Sequence, residues 1–223
     1  MLKAVLFDMD GVIVDTEPLH RKAYFKMFEE VNIEVNEAMY DSFTGQATLP
    51  ICNTLCGHFN LSETPEHLVS TKRKHFKYLF ENDSDLDLLV GVRELIQDYH
   101  KNGLTLVLAS SASMPNINRI FERFDLNQYF KAKISGADLK ASKPHPEIFL
   151  KAAELAGEHP NNCMVIEDST NGIEAAKAAN IYCVGFKSPH STNQDYSKAD
   201  RVITSFDEIA FSKLNGLFQT PPL

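Results

Sequence analysis

Polar and apolar residues follow two periods along this chain. Short apolar runs at 4–7, 104–109, 133–135, 163–166, 182–186 and 201–203 have the length and flanks of buried strands. Between most of them the pattern changes to an apolar residue every three or four positions, the spacing of an amphipathic helix. In 92–101, Val92, Leu95, Ile96 and Tyr99 share a face and Asn102-Gly103 supplies the stop. In 146–156 the expected inward set is Ile148, Phe149, Ala152, Ala153 and Leu155, ended by Gly157, and an Ala-rich helix is expected over 171–179. Strand and helix in alternation predict an α/β fold with a Rossmann-like parallel sheet.

The interval 15–86 breaks that alternation. It offers helical patterns at 17–30, 37–43, 49–59 and 65–81 and no convincing strand. The expected organisation is therefore an α/β core from 1–14 and 87–223, carrying an inserted α-helical cap domain at 15–86, with Asn82-Asp83-Ser84-Asp85 as a hinge. An insertion at this point is placed to act as a lid. No internal repeat is present, and only the Thr220-Pro221-Pro222-Leu223 tail reads as disordered.

Composition narrows the partners. At 223 residues the chain is long enough for a sizeable core, and 22 Lys+Arg against 30 Asp+Glu give a net charge of −8. Such a balance does not attract nucleic acid or an anionic membrane, so an anionic ligand must be drawn by local positive charge. No apolar stretch approaches the ~20 residues of a membrane helix. Lys3 and Asp8 interrupt the segment that a signal peptide would keep apolar, and a cytoplasmic protein is expected. Cys52, Cys56, Cys163 and Cys183 show no metal or disulfide spacing and read as packing residues, although Cys52 and Cys56 share a helix face. The eight histidines form no zinc-ligand pattern.

The chemistry concentrates where the predicted strands end. Asp8-Met9-Asp10-Gly11 follows the first apolar run, and in an extended chain Asp8 and Asp10 point to one side, roughly 7 Å apart. One carboxylate there can attack phosphorus and the other can handle a proton, while their repulsion favours a bound cation. The second strand leads into Ser110-Ser111-Ala112-Ser113, whose hydroxyls and N–H groups suit phosphate oxygens. The third is followed by Ser142-Lys143-Pro144-His145-Pro146, and the fourth ends in Glu167-Asp168-Ser169. Each has a plainer reading: a strand exit, a helix cap, a solvated lysine, an N-cap. Together, in order and at the ligand-binding ends of strands, they describe an oxygen-only site suited to Mg²⁺ and a phosphoryl group.

These motifs, in this order and from Leu2 to about Ile203, resemble those of the haloacid dehalogenase-like superfamily, in its phosphatase and phosphomutase branch with a helical cap. The resemblance implies Asp8 as nucleophile, Asp10 as acid/base and carbonyl donor to Mg²⁺, and Ser110 as a phosphoryl ligand. It implies Lys143 as charge neutraliser, with Asp168 and Glu167 completing a metal set of Asp8, Asp10, Glu167 and Asp168. The superfamily's dehalogenases lack the second acid, so Asp10 argues against dehalogenation. Ser111 and Ala112 belong with Ser110 in substrate binding.

Within the branch, Thr16, His20, Lys72-Arg73-Lys74 and Ala141-Ser142-Lys143-Pro144 have counterparts in the β-phosphoglucomutases. The cap loop Phe43-Thr44-Gly45-Gln46-Ala47-Thr48 departs from them. Where the mutases carry lysine before the glycine and arginine three residues after it, this chain has Thr44 and Thr48, and a threonine hydroxyl holds a second phosphate less well than a guanidinium. Thr16, His20, Thr44, Gly45, Gln46, Thr48 and Lys74 are the expected cap-side substrate residues. His20 reads equally as a bridge between cap and core or as a routine polar contact, and a Lys-Arg-Lys run on a helix is usually a solvated face. The resulting expectation is a monomeric Mg²⁺-dependent phosphatase of a small phosphorylated metabolite, a sugar or polyol phosphate. A hexose-phosphate mutase and a non-catalytic phospholigand sensor are the alternatives.

Overall fold

The computed structural model describes residues 1–43, 48–83, 86–188 and 193–214. Its elements run β1 (Ala4–Phe7), α1 (Glu17–Glu30), α2 (Glu37–Asp41), α3 (Thr48–Phe59), α4 (Pro65–Asn82), α5 (Val92–Lys101), β2 (Thr105–Ser110), α6 (Met114–Arg123), β3 (Phe130–Ser135), α7 (Glu147–Ala156), β4 (Cys163–Glu167), α8 (Thr170–Ala178), β5 (Tyr182–Phe186) and β6 (Arg201–Ile203). The chain divides into two compact units, Met1–Asp15 with Asp87–Leu223, and Thr16–Leu86.

The first unit is a six-stranded sheet in the order β3-β2-β1-β4-β5-β6, with every pair parallel. Strand order reverses beside β1, so β1 lies between β2 and β4, with Phe7 opposite both Leu108 and Ile166. That reversal opens a crevice at the carboxyl ends of β1 and β4. Period-2 alternation assigns the faces. Ala4 and Leu6 of β1 join Val107, Ala109, Cys163 and Val165 in a core with Phe149, Ala152 and Ala153 of α7 and Ile173 and Ala176 of α8. On the other parity, Phe7 packs on Tyr99 of α5 and on Phe130.

The helical unit closes on its own core, in which Tyr24, Met27 and Phe28 of α1 meet Ile51, Cys52 and Leu55 of α3 and Leu68 of α4. Its helices start where short polar residues allow: Asn36 accepts from Met39 N at the head of α2, and Thr64 accepts from His67 N ahead of Pro65 in α4.

Several expectations shift. β3 begins at Phe130, earlier than the run at 133–135, because it is an edge strand whose alternating Lys131 and Lys133 break the apolar signal. Leu155 is 42% exposed, and Ala156 takes its inward place. The buried set 148, 149, 152, 153, 156 follows the helical period, which position 155 does not. α2 ends at Asp41, short of Phe43. Helix α6 had only its start marked in the sequence, and its Ile117, Ile120 and Phe121 are buried. Ser84 and Asp85 of the expected hinge, and the tail at 220–223, lie outside the described residues. Among the described residues no helix is long and apolar enough to cross a membrane. All four cysteines are free, and burial pushes the Cys52 and Cys163 thiols up to about 11, which fits packing rather than reactivity.

Candidate active site

Parity explains which side chains meet. Asp8 extends the Ala4–Leu6 series past the end of β1, and Glu167 extends the Cys163–Val165 series at the end of β4. Both series face α7, and Lys143 sits in the loop that leads into α7. Lys143 Nζ donates to Asp8 Oδ1 and to Glu167 Oε1, each at 2.6 Å, and to the Ala109 carbonyl at 3.2 Å. Its side chain is 7% exposed. Burial pulls its pKa down, but the carboxylates of Asp8 and Glu167 outweigh it and hold the ammonium charged.

Glu167 is saturated on its other oxygen: Oε2 accepts from Asp168 N at 2.8 Å and from Ser169 N and Oγ at 2.9 Å. Asp8, Glu167 and Asp168 bring one carboxylate oxygen each to within 4.8 Å of one another. Burial raises the Asp8 carboxyl well above the usual range; Lys143 opposes this, and Glu167 and Asp168 add to the rise. One ammonium among three carboxylates leaves an excess of negative charge, and hard oxygen donors are what a divalent cation of the Mg²⁺ type requires. The residues present therefore fit such an ion.

Two glycines make this density of acids possible. Gly11 turns the chain after β1 with φ +77, and a Cβ there would overlap the Asp168 carboxylate. The turn is closed by Gly11 N to Val14 O at 2.8 Å and Ile13 N to Met9 O at 2.8 Å. Because β1 ends at Phe7 and the chain turns here, the expected same-side placement of Asp8 and Asp10 applies only within the strand; the cluster of ligand atoms does not take in the Asp10 carboxylate. Gly172, in α8, brings the helix backbone against Glu167, where a Cβ would overlap the carboxylate.

On β2, Ser110 is 1% exposed and its Oγ accepts from Ala112 N at 3.1 Å. Ala112 O accepts from Ser135 Oγ at 2.8 Å, while Ser111 is exposed. The structure thus assembles Asp8, Lys143, Glu167 and Asp168 directly and sets Ser110 at the same end of the sheet.

In the helical unit, Thr16 is buried just before α1, Thr48 opens α3 and Lys74 is exposed on α4. Thr44, Gly45 and Gln46 lie outside the described residues. His20 stacks on Phe76 at 4.2 Å and its Nδ1 accepts from Lys72 Nζ at 2.7 Å. An ammonium only donates, so the neutral ring carries its proton on Nε2. The solvated reading of Lys72-Arg73-Lys74 needs correction: Arg73 and Lys74 are exposed, but Lys72 is buried, with its Nζ over the Tyr24 ring at 4.8 Å. A signal for it was present, since Leu68, Lys72, Phe76 and Phe80 repeat every fourth residue on the buried face. Gly11 and Gly172 carried no comparable signal, because close approach to a carboxylate is a tertiary property.

The sequence profile of the haloacid dehalogenase-like hydrolases matches residues 2–180, which includes every strand-end motif of the site. The chain belongs to that family. Among its haloacid dehalogenase-like relatives, hexitol phosphatase B of Escherichia coli K12 is 28% identical over 96% of both chains. A phosphorylated carbohydrates phosphatase of Thermotoga maritima is 33% identical over 81% of this chain and 82% of its own, and a β-phosphoglucomutase of Bacillus subtilis is 29% identical over 96% and 94%. Among solved structures, a β-phosphoglucomutase from Clostridium difficile superposes with a TM-score of 0.80 at 27% identity, covering 98% of this chain and 97% of that one. The protein is thus an enzyme, a hydrolase whose relatives include phosphatases and phosphomutases.

Proposed function

We propose that this enzyme hydrolyses a small phosphorylated metabolite, a sugar or polyol monophosphate, through an aspartyl phosphate on Asp8. The observation that carries the reading is the buried Lys143 ammonium bonded at 2.6 Å to both Asp8 and Glu167, with Asp168 in the same cluster. The phosphatase and carbohydrate-phosphatase relatives support the substrate class.

An Asp8 carboxylate oxygen attacks phosphorus while the ester P–O bond breaks, and Asp10 gives its proton to the departing alkoxide. Asp10 then takes a proton from water; that water attacks phosphorus, the bond to Asp8 breaks and inorganic phosphate leaves. Lys143, the Ser110 hydroxyl and the N–H groups of Ser111 and Ala112 balance charge on the phosphoryl oxygens. Asp8, Asp168 and the Asp10 carbonyl, supported by Glu167, would hold Mg²⁺, which when bound supplies further neutralisation of phosphoryl charge. Substrate selection falls to the helical unit, with Thr16, His20, Thr44, Gly45, Gln46, Thr48 and Lys74 as its residues and Lys72 added on the strength of its burial. We place the enzyme in the cytoplasm as a monomer.

The test is phosphate release across a panel of sugar phosphates, polyol phosphates and nucleotides, with and without Mg²⁺, with Asp8→Asn as the blank. The expected result is metal-dependent release on a sugar or polyol phosphate and none in the blank. Release by Asp8→Asn at the wild-type rate overturns the mechanism. The β-phosphoglucomutase relatives favour a second reading, a mutase, which would instead convert one hexose phosphate to another when primed by a bisphosphate, with no net release.

A further inference from the structure

We infer that residues 193–200, between β5 and β6, are a strap that sets the position of Asp168, with Tyr196 and Gln194 as positioning residues for cation binding. The inference rests on the reading of Asp8, Glu167 and Asp168 as a Mg²⁺ site. Asp168 is the first residue past β4 and Thr170 the first of α8, so only two residues, Asp168 and Ser169, carry the chain from strand to helix. Glu167 holds both residues from one side by accepting from Asp168 N and Ser169 N. The Asp168 carbonyl points the other way and accepts from the Tyr196 hydroxyl at 2.9 Å.

Gln194 acts two residues further on, at Thr170. Its Oε1 accepts from Thr170 N at 2.8 Å and from Thr170 Oγ1 at 3.0 Å, while Asp195 N donates to Thr170 Oγ1 at 2.8 Å. Thr170 N is one of the donors that a helix start leaves without an intrahelical acceptor. The helix's own cap, Ser169 Oγ accepting from Gly172 N at 3.1 Å, serves a different one. Gln194 is thus a cap supplied from outside the helix.

The strap is itself held. Its Tyr196 ring lies against Gly185 of β5, where a Cβ would come within 2.9 Å of the ring. Tyr196 O accepts from Ala199 N at 3.0 Å, and Asp195 Oδ1 accepts from Ser197 N at 2.8 Å. A carboxylate ligand is only as well aimed as the backbone it hangs from, and groups one bond removed from metal ligands typically alter affinity. Tyr196 fixes the orientation of the peptide that carries Asp168, and Gln194 fixes the turn that follows.

The experiment titrates the full-length protein with Mg²⁺ alone by calorimetry, and in parallel reads melting temperature in chelator and in saturating Mg²⁺. Tyr196→Phe keeps the ring against Gly185 and removes only the hydroxyl; it should weaken Mg²⁺ about fivefold. Its phosphate release should fall at limiting Mg²⁺ and return at saturation. Gln194→Ala provides a second, independent reading in the same direction. Lys177→Ala removes the ion pair to Asp200 at the far end of the segment, without touching Asp168 or Thr170, and should leave Mg²⁺ affinity unchanged. Wild-type affinity in both folded strap variants, or an equal loss in Lys177→Ala, overturns the positioning role and leaves the Mg²⁺ site standing. Absence of Mg²⁺ binding by the wild-type protein overturns the cation site itself and the strap's role with it.

Discussion

The Glu167 carboxylate accepts four hydrogen bonds, from Lys143, Asp168 N and both donors of Ser169, and α8 passes so close to it that position 172 admits only hydrogen. A carboxylate held by that many donors cannot swing aside. Gly172→Ala should therefore destabilise the fold by about 3 kcal/mol, as overpacking against a fixed polar group does. Gly57→Ala, at a helical position with nothing within 4 Å, should stabilise by up to about 1 kcal/mol. Thermal unfolding of the two variants checks both signs. The motif acids were legible in the chain because carboxylates at the end of apolar runs are conspicuous. Gly172 was not, because its requirement comes from a side chain on the preceding strand.

Helix α4 shows how periodicity and residue type compete. Its buried stripe of Leu68, Lys72, Phe76 and Phe80 places a lysine where an apolar residue is usual, and the aromatic rings of Tyr24 and Phe76 receive the ammonium. Lys72 leaves its hydrogen-bond partner His20 neutral, since burial first and the Lys72 charge second lower the histidine's pKa well below its usual value. The unfolded chain protonates His20 near pH 6.5 and the folded one does not, so protons bind the unfolded state preferentially as pH falls. This part of the stability is present above about pH 6.5 and lost below it. Between about pH 7.5 and pH 5.5 the wild type should lose more stability than His20→Gln, measured by denaturant unfolding. Period alone would have placed Lys72 inside; reading the Lys-Arg-Lys run by charge placed it outside.

The helical unit leaves the sheet unit and returns at neighbouring points. Val14 and Leu88 form an antiparallel bridge, and Leu89 N donates to Ile13 O at 2.9 Å, so the excursion between them is closed at its base by the sheet unit's own backbone. Replacing residues 16–86 by a short Gly-rich linker should leave a cooperatively folding α/β unit whose melting temperature still rises with Mg²⁺; circular dichroism and thermal melts with and without the ion test this. What the chain determined by itself was local: which segments bury an apolar face, where helices start and stop, and which acids, serines and lysine stand at strand ends. Those properties depend on near neighbours and on the two periods of strand and helix. Tertiary structure alone decided the strand order that brings β1 beside β4, the close approach of Gly11 to the Asp168 carboxylate, and the bonds from Gln194 and Tyr196 to Thr170 and Asp168. Each of these depends on atoms far apart in the chain, and no local pattern encodes which distant partner a hydrogen bond or a missing side chain will serve.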